Sequence, residues 1–404
     1  MPSSTTASAL VWMVVVVVVS CGVRSAAAVA EEGTIYVYNE NMPSGGWDMV
    51  ELCSNTCKYS NDTFCDDSGP NADDNECPLG TDCADCGPSY YAAFPTLADA
   101  VESFTDADGI FDGSLYVENT TLTSLEAMES VVGITGKLIV RDNPDLTSIA
   151  SLSDLDFVGN TTLFGSNALS SLDGLESLTR VGGRIDFYDE QFLSTIHVPS
   201  LETVGGTVYV SSNAIVTLVE FPVLVSTGGV VVQSMNMASR VSFPALSGVG
   251  VDPLYDASAL FLVGLADKLD IEIDFSMLEI VNGPMFILAN NGLRSLDGFN
   301  KLVYVNSFIR IERNDALESI GGFASLEGID DSLTITENPM LSSITGFGAL
   351  ATVGDDVIIT ENPNLVSIAG AQSLQTVDGC CELNATSLAA DLAACDDTNV
   401  CTDD

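Results

Sequence analysis

The pairs Ser295-Leu296, Ser319-Ile320, Ser343-Ile344 and Ser367-Ile368 recur every 24 residues without a gap. Each follows a short apolar run and a polar turn, as in Leu333-Thr-Ile-Thr-Glu-Asn-Pro339, and each is followed by a Leu and then a Val or Ile near Gly or Asp. Self-similarity at a fixed period of about 20–50 residues marks a stacked-repeat protein, and it outranks local propensity. The register extends backwards through Ser124-Leu125, Ser148-Ile149, Ser171-Leu172, Thr195-Ile196 and Thr217-Leu218, then Val241, Ile271 and Leu296. A second column runs Leu155, Leu178, Leu201, Leu224, Leu246, Leu278, Leu302, Leu326, Leu350 and Leu374. Eleven coils result, over residues 113–379. One coil cannot bury its own apolar face, so the core and most of the stability come from neighbours.

Runs such as Leu138-Ile-Val140, Val208-Tyr-Val210 and Val357-Ile-Ile359 are short, β-branched and bounded by polar turns, so they read as strands. Helical periodicity is absent from the coils. The expected fold is all-β, a parallel β-solenoid. Asn119, Asn143, Asn167, Asn213, Asn314, Asn338 and Asn362 recur just after the strand, and stacked in register they would form an Asn ladder bonding main-chain groups at a bend. Acids one place earlier (Glu118, Asp142, Glu190, Glu337, Glu361) would line one edge.

Outside the coils the chain divides further. Residues 1–30 read as a signal peptide: an apolar run through Val14–Val19, then Ala28-Val-Ala30 as a small-x-small cleavage site, although no Lys or Arg precedes the run. Residues 31–90 form an extracellular segment. Within it Cys53, Cys57, Cys65, Cys77, Cys83 and Cys86 crowd a stretch too poor in apolar residues to fold without cross-links. Residues 91–112 are a linker with a capping helix, marked by Leu97, Val101 and Phe104 at helical spacing. Residues 380–404 are a C-terminal cap in which Cys380, Cys381, Cys395 and Cys401 brace a short helix over 386–394. Leaving Cys21 with the leader, these ten cysteines are expected in disulfides, their connectivity open. Asn61, Asn119, Asn160 and Asn384 head N-glycosylation sequons. At Asn119 the sequon and the ladder exclude each other.

Charge narrows the function classes. The chain has 57 Asp and Glu against 12 Lys and Arg, a net charge of −45, so phosphate contacts to nucleic acid are excluded. No segment after the leader is apolar enough to span a membrane, and Thr398–Asp404 is acidic rather than the apolar tail of a GPI signal. His197 is the single histidine and falls at a surface or turn position, so no Ser-His-Asp, Cys-His or His-metal constellation can be assembled. No catalytic residue is expected.

The unit Leu333-Thr-Ile-Thr-Glu-Asn-Pro-Met-Leu-Ser-Ser-Ile-Thr-Gly-Phe-Gly-Ala-Leu-Ala-Thr-Val-Gly354 resembles the receptor L-domain, a right-handed, leucine-rich-repeat-like β-helix. Ile196-His-Val-Pro-Ser-Leu-Glu-Thr-Val-Gly-Gly206 is similar to repeats of fungal cell-wall proteins. The resemblance covers about residues 113–379 and implies an extracellular or cell-surface binding role. Eleven coils exceed one L-domain, so two could meet near 247–260. Asp62, Cys65-Asp-Asp67 and Glu76-Cys-Pro-Leu-Gly-Thr-Asp82-Cys83 resemble the Notch-type repeat more loosely. That likeness implies Ca²⁺ as the cofactor, with Asp62, Asp66, Asp67, Asp82 and Asp85 as ligands. The spacing from Cys65 to Cys77 departs from the pattern.

Three functions follow as expectations. The first is a secreted, non-catalytic binding protein recognising an extracellular protein or glycan. The second is a structural or adhesive wall component self-associating through Ca²⁺-bridged acidic surfaces. The third is a polysaccharide-active β-helix enzyme. Aromatics in an exposed line would point to glycan binding. The direction of Tyr116, Phe164, Phe187, Tyr209, Phe286 and Phe308 does not follow from their spacing.

Overall fold

The computed structural model describes residues 23–28, 33–39, 49–60, 62, 65, 69, 77, 79–86, 89–250, 259–265 and 270–383. Two units emerge: Met1–Glu31 with Glu40–Ala93, and Glu32–Asn39 with Phe94–Asp404. In the first, strand Met49–Leu52 pairs in parallel with Val23–Ala28 and antiparallel with Ser89–Phe94. Disulfides join Cys53 to Cys83, Cys57 to Cys77 and Cys65 to Cys86. With a small apolar centre (among the described residues Leu52, Leu79, Tyr91, Ala92 and the half-cystines Cys65 and Cys77 are buried), these cross-links constrain the unfolded chain where the core is slight.

The second unit is a parallel β-solenoid of about eleven turns. Each coil lays a strand in a large sheet, a two-residue strand in a second sheet, and a short segment on a third face. We number the coils from the large-sheet strands: Ser114–Glu118 opens coil 1, Leu138–Arg141 coil 2, Thr162–Gly165 coil 3, Ile185–Tyr188 coil 4, Thr207–Ser211 coil 5 and Gly229–Gln233 coil 6. Leu260–Val263, Met285–Leu288, Ile309–Glu312, Leu333–Thr336 and Val357–Thr360 open coils 7 to 11. Pairing is parallel throughout and runs on through the 247–260 region, where Val230 pairs with Leu260 and Val249 with Val281.

The start of the stack is closed locally. Ile35–Tyr38, ahead of the solenoid in the sequence and expected outside it, pairs antiparallel with Ser114–Tyr116 of coil 1. The expected helix forms over Leu97–Phe104, capped by Thr96 Oγ1 accepting from the Asp99 N–H at 3.1 Å. It buries Leu97, Ala100 and Val101, and the Phe104 ring lies against Phe94 and Phe111. Cys380 and Cys381 are both disulfide-bonded. The rest of the C-terminal cap, Cys395 and Cys401 included, lies outside the described residues.

The core is built of columns. The Leu column from Leu155 to Leu374 is buried at every coil. The first column is buried too, but at two coils the inward residue is not the expected one. Val219, not Leu218, pairs with Ile196, and Ile273, not Ile271, pairs with Val241. Strand alternation decides it, because Val219 at the centre of Leu218–Glu220 points inward while its neighbours point out. A third column was not foreseen. Phe221, Phe243, Phe275, Phe299, Phe323 and Phe347 stack face to face at centroid distances of 5.1–5.5 Å, all fully buried.

A main-chain device repeats where each coil leaves the large sheet. Ten non-glycine residues stand at φ of +52° to +58° there (Asn119, Asp142, Ser166, Asp189, Ser212, Ser234, Ala289, Arg313, Glu337, Glu361), and Gly264 takes the place in coil 7. The residue after each begins the bend, and here the Asn ladder forms. Asn314 Oδ1 accepts the N–H of Asn290 at 3.0 Å, while its Nδ2 donates to Ile287 O at 3.0 Å and to Asn338 Oδ1 at 3.1 Å. The ladder satisfies main-chain groups that a buried bend would otherwise leave unpaired. It comprises Asn143, Asn167, Asn213, Asn290, Asn314, Asn338 and Asn362, all buried.

Asn119 does not belong to it. It occupies the exposed left-handed position, and Thr120 is the ladder residue, donating from N and Oγ1 to Asn143 Oδ1 at 2.9 and 2.7 Å. Nor do the five acids form one column. Asp142, Glu337 and Glu361 hold the left-handed corner, Glu118 is the last, buried residue of its strand, and Glu190 sits in the ladder itself. The left-handed region costs a non-glycine residue about 1–2 kcal/mol. Ala289, with no side-chain hydrogen bond to offset that strain, is the clearest case. Ala289→Gly is expected to raise stability by about 0.5–1 kcal/mol in denaturant unfolding, the gain being reduced by the entropy that glycine loses. A lower midpoint for the variant would contradict this.

Candidate functional site

In the four-residue strands of the large sheet, first and third positions point into the core and second and fourth form the outward face; the five-residue strands of coils 1, 5 and 6 start one residue earlier in register, so there the third position points outward. Phe164 and Phe187 are therefore core residues, stacked at 5.8 Å and fully buried. Tyr116, Tyr209 and Phe286 point outward, and Phe308 lies just ahead of its strand. Along coils 1 to 4 this outward face is itself buried. It carries the ion pairs Arg141–Glu118 at 3.4 Å and Arg184–Asp186 at 3.2 Å, all four side chains nearly inaccessible.

From coil 7 onward the face opens. Phe261, Phe286 and Phe308 are half-buried and pack edge to face at 5.3 and 5.1 Å. Arg310 lies 5.4 Å from the Phe308 ring centre and 3.2 Å from Glu312 Oε1. Val263 and Leu288 extend the apolar surface on one side, and Thr334, Thr336, Ile358 and Thr360 continue it along coils 10 and 11, all half-buried. Phe261 was not singled out by sequence. Its signal was available, since it stands 25 residues before Phe286 in the same strand position.

His197 lies on the surface but in a strand, Thr195–His197, with its Nδ1 3.0 Å from Glu220 Oε2. Ser242, which pairs with Glu220 in the strand beyond, is buried and donates to Asp274 Oδ2 at 3.3 Å. It lies two strands away from His197, so Ser242, His197 and Asp274 do not form a relay.

In the cysteine module, Asp85 Oδ2 accepts the main-chain N–H of Asp62 at 3.0 Å, so this carboxylate braces a loop. Asp82 is fully buried at the start of the turn Cys83–Cys86. Asp66 and Asp67 lie outside the described residues. Among the described residues no three acidic, histidine or cysteine side chains converge as a metal site. Of the sequons, Asn119 and Asn160 are exposed, and Asn61 and Asn384 lie outside the described residues. No helix of the described residues is long and apolar enough to cross a membrane. Compared with protein-family models and with curated proteins, the chain matches none.

Proposed function

We propose that this chain is an exported, non-catalytic binding protein, that its solenoid acts in the manner of a receptor L-domain, and that the outward face of coils 7–11 holds a protein partner. The observation that carries the reading is the row Phe261, Phe286, Phe308 beside Arg310: a half-exposed aromatic patch with one cation, on a chain of net charge −45. Aromatic residues and arginine dominate protein recognition sites, because they bury large area at little cost in side-chain entropy. A sugar platform would need a ring face laid open amid hydrogen-bonding groups. Here the rings pack against one another, and Val263 and Leu288 surround them. The three disulfides support export, since such cross-links persist in oxidising compartments. Asn119 and Asn160 are then open to glycan attachment.

The test immobilises the full chain and presents extracellular proteins, a glycan array and soluble polysaccharides in parallel. A protein partner is expected to bind, and Phe286→Ser with Phe308→Ser is expected to weaken it about 30-fold, the effect of losing roughly 2 kcal/mol at a central aromatic contact. Binding unchanged in that variant overturns the assignment of the face. Glycan capture, Ca²⁺-dependent self-association without a partner, or release of reducing sugar overturns the reading in favour of a lectin, an adhesive component or an enzyme.

A further inference from the structure

The third face changes geometry between coils 3 and 4, and a single residue causes it. In coil 3 three steps separate the buried positions Leu172 and Leu175, whereas in coil 4 two steps separate Ile196 and Val198. Gly174 accommodates the extra residue at φ +118°, where a Cβ would lie 2.1 Å from Ile149 O. Coil 4 instead runs straight through Thr195–His197 and turns at Pro199.

That strand pairs with Leu218–Glu220 on one side only, so it is the edge of its sheet. Val198 N donates to Glu220 O at 3.2 Å and Thr217 N donates to Ser194 O at 2.9 Å. In a parallel ladder this phase turns the main-chain groups of Thr195 and His197 toward coil 3, where no described residue pairs with them. A pocket of about 130 Å³ opens there. Ser171, Asp173 and Glu176 of coil 3 form one wall, Thr195, His197 and Pro199 of coil 4 the other, and Leu172 contributes apolar surface.

We propose that this pocket receives the guanidinium or ammonium group of a basic side chain on a partner polypeptide. Acceptors dominate the lining: two carboxylates, two hydroxyls and the open carbonyls of an edge strand, with no lysine or arginine among them. Glu176 is held in place, its Oε2 accepting the Gly174 N–H at 2.8 Å. Glu220 fixes the imidazole through Nδ1, which leaves Nε2 facing no described hydrogen-bond partner. The volume is well below the roughly 300–1,000 Å³ of pockets that enclose a whole small molecule, so the occupant is one functional group projecting from something larger. Five donors in a planar fork suit such a set of acceptors, and the net charge of −45 favours the approach of a basic partner. The pocket lies on a different sheet from the aromatic face.

His197 is the single histidine of the chain, so one imidazole Cε1–H resonance reports on the pocket. The full chain is titrated at constant ionic strength with acetyl-arginine methylamide, acetyl-lysine methylamide and the neutral isostere acetyl-citrulline methylamide. A saturable shift with either cation and none with citrulline is expected. Asp173→Asn combined with Glu176→Gln is expected to weaken it at least tenfold, and both residues are exposed, so the variant folds. Asp315→Asn, an exposed acid on coil 9, is expected to leave it unchanged. Absence of a saturable shift, an equal response to citrulline, or parental affinity in the double variant overturns the proposal.

Discussion

Phe299→Ala is expected to lower the stability of the solenoid by about 3–5 kcal/mol, the largest loss from any single truncation considered. The ring is fully buried and stacks on Phe275 at 5.2 Å and on Phe323 at 5.5 Å. Truncation removes its transfer free energy, leaves a cavity, and breaks two aromatic contacts worth about 0.5–1.5 kcal/mol each. Collapse is restricted because this coil is fixed to both neighbours by main-chain pairing, Val305 with Val281 on one side and, on the other, Val305 with Ile329 and Leu296 with Ile320. Phe299→Leu should cost less than half as much, since Leu152 and Leu175 fill the same place in coils 2 and 3. Val303→Ala, 36% exposed in the same coil, should change stability by less than about 0.5 kcal/mol. Denaturant midpoints order the three variants. Hydrogen exchange should rise first in coils 7 to 9, because a stacked array opens through its weakened neighbours. Alanine and leucine variants of equal stability would show that the column is not a close-packed core.

The period of 24 made the architecture legible because repetition averages out local ambiguity: eleven weak strand signals in register outweigh any one. Where the period slips, reading by residue type failed. Five steps separate Thr120 from Leu125 in coil 1 where six separate Asn143 from Ile149 in coil 2, so a fixed spacing points to Asn119 in a ladder that Thr120 joins. At coils 5 and 7 the spacing points to Leu218 and Ile271, one and two places before Val219 and Ile273. Aligning Pro199, Pro222 and Pro244 instead would have found Val219, and would also have exposed the column from Phe221 to Phe243. The binding face was hidden for a different reason. Strands such as Met285–Leu288 are apolar at every position, so the period-two contrast that separates core from surface is missing. The pocket at His197 depends on a one-residue step between neighbouring coils, and only the stacked geometry shows that the step breaks a sheet edge.

Glu190→Asn is expected to stabilise the protein by about 3 kcal/mol at pH 8 and by almost nothing at pH 4. Glu190 is fully buried in a ladder otherwise made of amides, accepting from Asn167 Nδ2 at 2.8 Å and from the N–H groups of Asn167 and Leu169 at 3.3 Å each. Burial pushes its carboxyl up to about 7, the three donors only partly opposing, while neighbouring Asp189 adds repulsion. Between its ordinary value of 4.5 and about 7, the folded chain holds a proton that the unfolded chain has released. Stability contributed by this group is therefore complete below about 4.5 and declines as pH rises, reaching its lowest level above about 7. A rise from 4.5 to about 7 corresponds to roughly 3 kcal/mol. Asparagine fills the place in coils 2, 3, 5 and 8 to 11, so the variant keeps an acceptor for Asn167 and carries no charge. The other acids also make the parent pH-dependent, and the difference between parent and variant isolates position 190. Unfolding midpoints of both chains from pH 4 to pH 8 should diverge steadily with rising pH. Parallel curves would mean that Glu190 is ionised in the folded protein at no cost, its three donors replacing the water it gave up.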